Sequence, residues 1–258
     1  MFRWFPEAIR AGQRAGPCPT RGARSRHCPA ESLPAQKTSI NGKSFQPSMK
    51  LIFATGNAGK LREAREILEP QGIGVVSPYD LGLTKEQIEV DETGLTFAEN
   101  AAIKVRHLWA LTGLPCFADD SGLEVDALGG APGIYTARYA SLDGQGEDHN
   151  FTSNIAKLLH NLQGVTDRRA RFVCAVALAL PAQGAEAGQG PVVNLFEGKC
   201  EGRIAFEEAG CGGFGYDPVF IADAFPDRTL AEVEESAKNA VSHRGHALAA
   251  MVRYLKSL

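Results

Sequence analysis

Residues 51–60 read Leu51-Ile-Phe-Ala-Thr-Gly-Asn-Ala-Gly-Lys60, a short apolar run followed by a turn with two glycines. The run predicts a β-strand over 51–55, because it is apolar, brief and bounded by a turn signal. Asn57 is a favourable N-cap, so the residues after it predict a helix over 58–69 that ends at Pro70. A strand that passes through a short turn into a helix is typical of α/β proteins.

The same alternation continues along the chain. Further strands are predicted over 74–77, 116–118, 170–180, 192–199 and, as a continuation, 200–206. Thr96-Phe-Ala-Glu99 matches a capping box, in which the two side chains satisfy backbone amides at a helix start. It opens a predicted helix that runs to about 112, and two more helices are predicted over 149–163 and 243–256. Strands and helices interleave, so the predicted fold class is α/β.

Composition excludes several classes of protein. Of the 258 residues, 44% are hydrophobic and 22% are charged, which is enough apolar material for a folded core. The longest apolar run, 172–180, is far shorter than the roughly 18 residues that a membrane span needs. The six cysteines form no Cys-x-x-Cys pair, so we expect reduced thiols and a cytoplasmic protein rather than a zinc ribbon.

Charge divides the chain at Met49. Residues 1–48 carry a net charge of +6, whereas residues 49–258 carry −9. Three interpretations of the first segment compete: an organelle transit peptide, a basic nucleic-acid-binding arm, or a disordered extension. The strand pattern that begins directly after Met49 favours the extension, with the folded domain over 49–258. The acidic body argues against nucleic acid as a partner, since phosphate contacts need positive surface.

Three short motifs match known sites by letter but not by context. Residues 55–60 have two residues between their glycines and Leu61 after the lysine, unlike a P-loop. The Gly-x-Gly-x-x-Gly pattern at 210–215 lies late in the chain, whereas a dinucleotide fingerprint opens a helix after the first strand. Asp120-Ser-Gly122 occurs once, whereas aspartic protease chemistry needs two such carboxylates.

Cations lie at predicted helix starts, where the helix dipole normally disfavours them. Lys60 is in the first turn after the first strand, His243 and Arg244 follow the cap residue Ser242, and Lys238 lies just upstream. The alternative is that each is a solvated surface charge. Together, and beside glycine-rich turns, they predict an anion-binding site.

Acidic residues supply the complementary half of the predicted site. Asp119 and Asp120 are predicted at the C-terminal end of a strand, where α/β proteins bind ligands, and Asp91 and Glu92 precede a helix. Carboxylates are the ligands that Mg²⁺ prefers, and a metal would relieve the repulsion between adjacent carboxylates. The alternative for the Asp pair is a turn, and Glu99 fits a capping role at least as well as a catalytic one.

Further along that helix, Asn100 and Lys104 are four residues apart and share a face, from which Lys104 is predicted to reach a phosphate.

Six motifs, in this order, resemble the inosine triphosphate pyrophosphatase family, and the resemblance spans about 49–258. They are Ala54-Thr-Gly-Asn-Ala-Gly-Lys60, Thr96-Phe-Ala-Glu-Asn-Ala101, Ala118-Asp-Asp-Ser-Gly122, Leu128-Gly-Gly-Ala-Pro-Gly133, Gly213-Phe-Gly-Tyr-Asp-Pro218 and Ser242-His-Arg244. The resemblance implies hydrolysis of dITP, ITP and XTP to the monophosphate and pyrophosphate. It also implies Mg²⁺, a homodimer, and a two-lobed α/β fold with a mixed sheet and the site between the lobes.

The resemblance also implies roles for individual residues. Asp120 corresponds to the general base and a metal ligand, Ser121 to a substrate contact, and Glu92 or Asp91 to a second metal ligand. The remaining substrate-binding positions are the phosphate-binding turn Thr55, Gly56, Asn57, Ala58, Gly59 and Lys60, the base-binding stretch Phe214, Gly215, Tyr216 and Asp217, and the further contacts Lys238, His243 and Arg244.

A rival interpretation is a non-catalytic nucleotide-binding or sensor module. Such a module would use the same basic turns but would not need a metal-binding pair of carboxylates.

Overall fold

A mixed sheet of six strands forms the centre of the protein. The strands are β1 (Met49–Phe53), β2 (Ile73–Val76), β3 (Cys116–Val125), β4 (Arg169–Leu180), β5 (Val192–Ile204) and β6 (Phe220–Ala222). Their order across the sheet is β2-β1-β3-β4-β5-β6, with β1 parallel to β2 and β3 and the other pairs antiparallel. The computed structural model describes residues 49–144, 146–182 and 190–258. The predicted extension, residues 1–48, lies outside the described residues.

Six α-helices flank the sheet in the described part of the chain. They are α1 (Ala58–Leu68), α2 (Lys85–Ile88), α3 (Phe97–Thr112), α4 (Phe151–Asn161), α5 (Glu235–Val241) and α6 (His243–Leu255). The predicted helices that correspond to α1, α3, α4 and α6 are confirmed to within a few residues. Asn57 and Ser242 are N-caps, as predicted, because their side chains accept amides of the first turn.

The capping box at the start of α3 forms only in part. Thr96 Oγ1 accepts the Glu99 amide at 3.1 Å, as the motif predicts. Glu99 does not return to the Thr96 amide; its Oε2 accepts the Leu95 amide at 2.7 Å instead. Glu99 therefore bonds the amide of the residue before the N-cap Thr96, and it stabilises the helix start in the capping role that its position favoured.

The strand predicted over 116–118 is longer than expected, and the placement of Asp119 and Asp120 at its end is wrong. β3 continues to Val125, because residues 116–125 pair in register with 170–179 of β4. On the other side of β3, β1 pairs only as far as Phe53 opposite Phe117. The two aspartates thus lie inside β3 but beyond the carboxyl end of its parallel neighbour.

Apolar residues pack in separate clusters, in keeping with the two lobes that the family resemblance implies. One cluster joins the far ends of β3 and β4 to α4 and residues 216–230. Two others join β1, β3 and β4 to helices on opposite faces of the sheet, to α1 and α6 on one face and to α3 on the other. Among the described residues, no helix is both long and apolar enough to cross a membrane.

Candidate active site

Consecutive residues of β3 point to opposite faces of the sheet, and this separates the two adjacent aspartates. Phe117 packs in the cluster with α1 and α6, whereas Ala118 packs in the cluster with α3. Asp119 follows the direction of Phe117 and Asp120 that of Ala118. The expectation that a metal relieves repulsion between this pair does not hold, since each carboxylate has its own cations on its own face.

Asp119 is buried in an ion-pair network. Its Oδ1 accepts from Lys60 Nζ at 3.0 Å, and its Oδ2 accepts from Arg244 Nε at 2.9 Å. Burial alone would raise the pKa of Asp119, but the charges of Lys60 and Arg244 outweigh it and hold the pKa well below the usual range. Asp119 therefore stays ionised, and it occupies both cations.

Glu63 completes this network from the second turn of α1. Its Oε2 accepts from Arg244 Nη1, and its Oε1 accepts from the Ser242 hydroxyl at 2.9 Å. Arg244 is 1% exposed and also donates from Nη2 to Ser121 Oγ at 3.3 Å. The network thus ties the start of α6 to α1 and to β3, and it fixes the direction of the Arg244 guanidinium.

Asp120 forms a second cluster on the α3 face. Lys104 Nζ donates to Asp120 Oδ1 at 2.9 Å and to Glu92 Oε1 at 2.8 Å, so one ammonium joins two carboxylates. Asn100 Nδ2 donates to Asp120 Oδ2 at 3.2 Å. Burial raises the pKa of Asp120 above its ordinary value, although Lys104 acts in the opposite direction. Asn100 and Lys104 share one helix face, as predicted.

The loop before α3 presents Glu92 to this cluster. Asn100 Oδ1 accepts the Gly94 amide at 2.8 Å, so the same side chain that contacts Asp120 also holds the loop. Glu92 reaches Lys104, whereas the preceding residue, Asp91, is exposed and lines the cavity without an ion-pair partner among the described residues.

The turn at the start of α1 is held by its own side chains. Asn57 Oδ1 accepts the amides of Gly59 and Lys60 at 2.9 and 3.1 Å, and Thr55 Oγ1 accepts the Asn57 amide at 3.1 Å. Three amides of the predicted phosphate-binding turn are therefore bonded within the protein. Asn57 and Lys60 line the main cavity, and Gly59 lines an adjoining one.

The stretch 213–217 folds around the Asp217 carboxylate. Asp217 Oδ2 accepts the Phe214 amide at 2.8 Å and Lys238 Nζ at 2.5 Å. Gly213 has φ of +72°, and a Cβ there would collide with the Asp217 side chain. Lys238 Nζ lies 4.6 Å from the centre of the Phe214 ring, which is 45% exposed. Phe214 is thus held at the cavity wall with one side accessible.

Other aromatic residues form the inner wall. Tyr216 is 1% exposed and donates to the Thr136 carbonyl oxygen at 3.0 Å, so it supports the wall rather than offering a free ring face. His243 stacks on Phe172 with ring centres 4.9 Å apart. Burial and then the neighbouring charge of Arg244 lower the pKa of His243 well below its ordinary value. His243 is therefore neutral at pH 7.

A cavity of about 360 Å³ brings most of the predicted site residues together. This volume falls in the range of small-molecule binding sites. Thr55, Gly56, Ala58 and the buried Asp119 are the residues of the predicted site that do not line either cavity. The predicted residues that line the main cavity are Asn57, Lys60, Asp91, Glu92, Lys104, Asp120, Ser121, Phe214, Gly215, Tyr216, Asp217, Lys238, His243 and Arg244.

Several cavity residues were not predicted from the sequence. Glu63 bonds Arg244 across 181 positions of the chain, so nothing in the local pattern of α1 indicates the pair. Arg138 belongs to a segment without a clear helix or strand pattern. His149 is the first residue of the helix predicted over 149–163, but α4 begins only at Phe151, so His149 lies in the turn before the helix. His149 has φ of +62°, which is uncommon for a residue other than glycine.

The fold and this cavity define an α/β protein whose binding site combines carboxylates, cations and the accessible aromatic ring of Phe214, the features that suit a phosphorylated aromatic ligand. A family model described as the Ham1 family matches residues 51–254, and the chain belongs to this family.

Individual relatives and a solved structure agree with this assignment. The chain is 45% identical over 210 residues to a dITP/XTP pyrophosphatase from Shigella flexneri, covering 81% of this chain and 98% of the relative. It is 47% identical over 201 residues to one from Bacillus licheniformis, covering 77% and 94%. A solved HAM1 protein from Coxiella burnetii superposes with a TM-score of 0.69 at 37% identity, covering 81% of this chain and all of that one.

Proposed function

We propose that this protein hydrolyses non-standard purine nucleoside triphosphates, namely dITP, ITP and XTP, to the nucleoside monophosphate and pyrophosphate, and so clears them from the cytoplasmic nucleotide pool. The relatives named dITP/XTP pyrophosphatase support the substrate class. The observation that carries the proposal is the cluster of Asp120, Lys104 and Glu92 on the cavity wall.

In this proposal Asp120 is the general base. A base must accept a proton from water, and the raised pKa of Asp120 makes its carboxylate a better acceptor than an ordinary aspartate. Lys104 and Asn100 hold its two oxygens in a fixed direction. The activated water attacks the α-phosphorus, and pyrophosphate leaves with its bonding electron pair.

Mg²⁺ fits the charges of the cavity. Six carboxylates and five cationic side chains line it among the described residues, so a triphosphate would enter a site without surplus positive charge. The same part of the chain contains no group of three or more His, Cys, Asp and Glu side chains that could hold a metal alone. Mg²⁺ usually takes one or two carboxylates plus substrate phosphates, and Asp120 with Glu92 would supply them. When bound, the ion would neutralise charge that develops on the phosphates.

Base recognition involves Phe214 and hydrogen bonds at position six of the purine. Stacking on Phe214 does not separate hypoxanthine from adenine, because the two rings have nearly the same shape. The 6-carbonyl of hypoxanthine accepts hydrogen bonds, whereas the 6-amino group of adenine donates them. Hydrogen-bond donors in the pocket therefore pair with hypoxanthine but are left unpaired by adenine. Each such mismatch costs about 1–3 kcal/mol, and two or three together approach about 10⁴-fold selectivity.

A substrate panel tests the proposal. Purified protein with Mg²⁺ is given ITP, XTP, GTP and ATP, and pyrophosphate and orthophosphate are measured separately. We expect pyrophosphate from ITP and XTP and a kcat/KM for ATP far lower than for ITP. Orthophosphate as the product excludes the proposed reaction, ATP within about tenfold of ITP excludes the selectivity, and ITP binding without turnover indicates a non-catalytic binding module.

We also propose a homodimer, on the family resemblance alone. Light scattering during size-exclusion chromatography should give twice the mass of the 27.6 kDa chain. A mass equal to one chain across the accessible concentration range would contradict it.

A further inference from the structure

Among the cationic side chains that line the cavity, Arg138 is the one without an ion-pair partner in the described part of the chain. Lys60 and Arg244 bind Asp119, Lys104 binds Asp120, and Lys238 binds Asp217, each at 3.0 Å or less. No carboxylate in the described part of the chain lies within 4.0 Å of the Arg138 guanidinium. Because no described carboxylate neutralises it, the positive charge of Arg138 is available to a ligand in the cavity.

The backbone around Arg138 is held in place. The residue ends a 3-10 segment, Gly133–Arg138, that lies along β3 where Thr136 Oγ1 accepts the Leu123 amide at 2.8 Å. Ser141 Oγ lies 2.9 Å from the Arg138 carbonyl oxygen and also contacts the Asp148 carboxylate. A half-buried arginine on such a fixed segment loses little freedom when it binds a ligand.

The adjoining turn adds a strained residue to the same wall. His149 donates its amide to the Ala137 carbonyl oxygen at 2.7 Å while its φ is +62°. Conformations of this kind persist where surrounding contacts hold them, and they concentrate at ligand sites. The guanidinium of Arg138 itself lies 5.4 Å from the centre of the Tyr135 ring.

We propose that Arg138 is a further substrate-binding residue, whose guanidinium binds an oxygen of the substrate's phosphate chain. The identity of that substrate rests on the proposed function. A planar guanidinium presents several N–H donors in a fixed fork that matches phosphate oxygens. The alternative ligand, a purine carbonyl, carries no net charge and so has less need of an unpaired cation.

Arg138→Gln removes the charge and keeps a side chain of moderate length. Arg138→Lys keeps the charge but loses the planar fork, and Arg106→Gln is the matched control, because Arg106 is exposed on α3 and lies outside the cavity. For ITP we expect R138Q to raise KM about 10- to 100-fold with kcat within about threefold, R138K to raise it less, and R106Q to change neither.

Calorimetry separates the two parts of the substrate and does not depend on turnover. Wild type and each variant are titrated with Mg²⁺-tripolyphosphate and, separately, with inosine, and the unfolding midpoint of each variant is recorded. We expect R138Q to weaken tripolyphosphate binding at least tenfold, R138K to weaken it at least threefold, and both to leave inosine binding unchanged.

Loss of inosine affinity with unchanged tripolyphosphate affinity would overturn the proposal in favour of base recognition. Wild-type protein that does not bind tripolyphosphate, or a folded R138K that binds it like wild type, would also overturn it. If R138Q does not fold, the R138K result decides. A failure of the proposed function instead appears as missing pyrophosphate in wild type, and leaves the binding comparison valid.

Discussion

Asp119 and Asp120 are consecutive residues of β3, but the Asp119 face packs against α1 and α6, whereas the Asp120 face packs against α3. Asp119 meets two cations within 3.0 Å, and its pKa lies below the ordinary value. Asp120 shares one cation with Glu92, and its pKa lies above the ordinary value. Strand alternation thus gives two identical side chains different environments, one suited to stability and the other to proton transfer.

The largest expected effect is on turnover, from Asp120→Asn. Asn keeps one oxygen and loses the charge, so we expect kcat for ITP to fall about 10²- to 10⁴-fold, the scale for loss of a general base. The free energy of unfolding at pH 7 should stay the same or rise slightly, since burial disfavours the Asp120 charge. Mg²⁺ dependence should weaken as well. Near wild-type pyrophosphate release would mean that another residue is the base, and Glu92, which lines the same cavity, would be tested next.

Asp119→Asn should give the opposite pattern, with stability as the main loss. It leaves the buried Arg244 with Glu63 as its remaining carboxylate, and loss of one partner of a buried pair costs about 3–5 kcal/mol. Urea unfolding at pH 7 measures the difference. A change below about 1 kcal/mol would mean that the network on this face is not what holds α1, β3 and α6 together.

Acid sensitivity provides a second measure of the Asp119 face. Because the folded-state pKa is depressed, the contribution of Asp119 is fully present above its unfolded-state pKa of about 3.9. That contribution is lost as the pH falls through the lower folded-state pKa. Unfolding free energies recorded between pH 5 and pH 2 should therefore depend less on pH in Asp119→Asn than in wild type. Equal slopes in both proteins would contradict the depressed pKa.

Lys104→Gln sharpens the comparison on the Asp120 face. The charge of Lys104 lowers the Asp120 pKa against burial, so its removal should raise that pKa further. The acid limb of kcat/KM against pH, at saturating Mg²⁺, should move to higher pH in Lys104→Gln. Lys104→Arg keeps the charge and is the matched control, expected to leave the limb near its wild-type position. A shift to lower pH in Lys104→Gln would show that another group controls the limb.

The smallest expected effect is that of removing residues 1–48. The composition changes at Met49, and the segment has no periodic pattern, so a chain that begins at Met49 should keep the fold and the activity. Activity of the shortened protein is compared with that of the full chain on ITP. A decrease of kcat/KM beyond about tenfold, or 1.4 kcal/mol, would make the segment part of the catalytic body.

Local signals in the sequence predicted the parts of the structure that depend on local contacts. Asn57, Thr96 and Ser242 are caps because each bonds an amide two or three residues away. The predicted end of β3 was wrong because pairing with β4, which lies more than 40 residues later in the chain, extends the strand to Val125. Likewise, the Arg244 network could not be predicted, since Glu63 and Asp119 reach it from α1 and β3.

Titration of the two carboxyl groups tests most directly whether β3 separates their roles. Protein labelled with ¹³C at the aspartate carboxyl carbons is titrated without substrate or metal, and Asp119→Asn and Asp120→Asn assign the two resonances. The Asp120 resonance should report a pKa above the ordinary aspartate value of about 3.9. The Asp119 resonance should show that this carboxylate stays ionised below that pH for as long as the protein remains folded. Titration in the reverse order, or of both groups at the same pH, would contradict the assignment of stability to one face and proton transfer to the other.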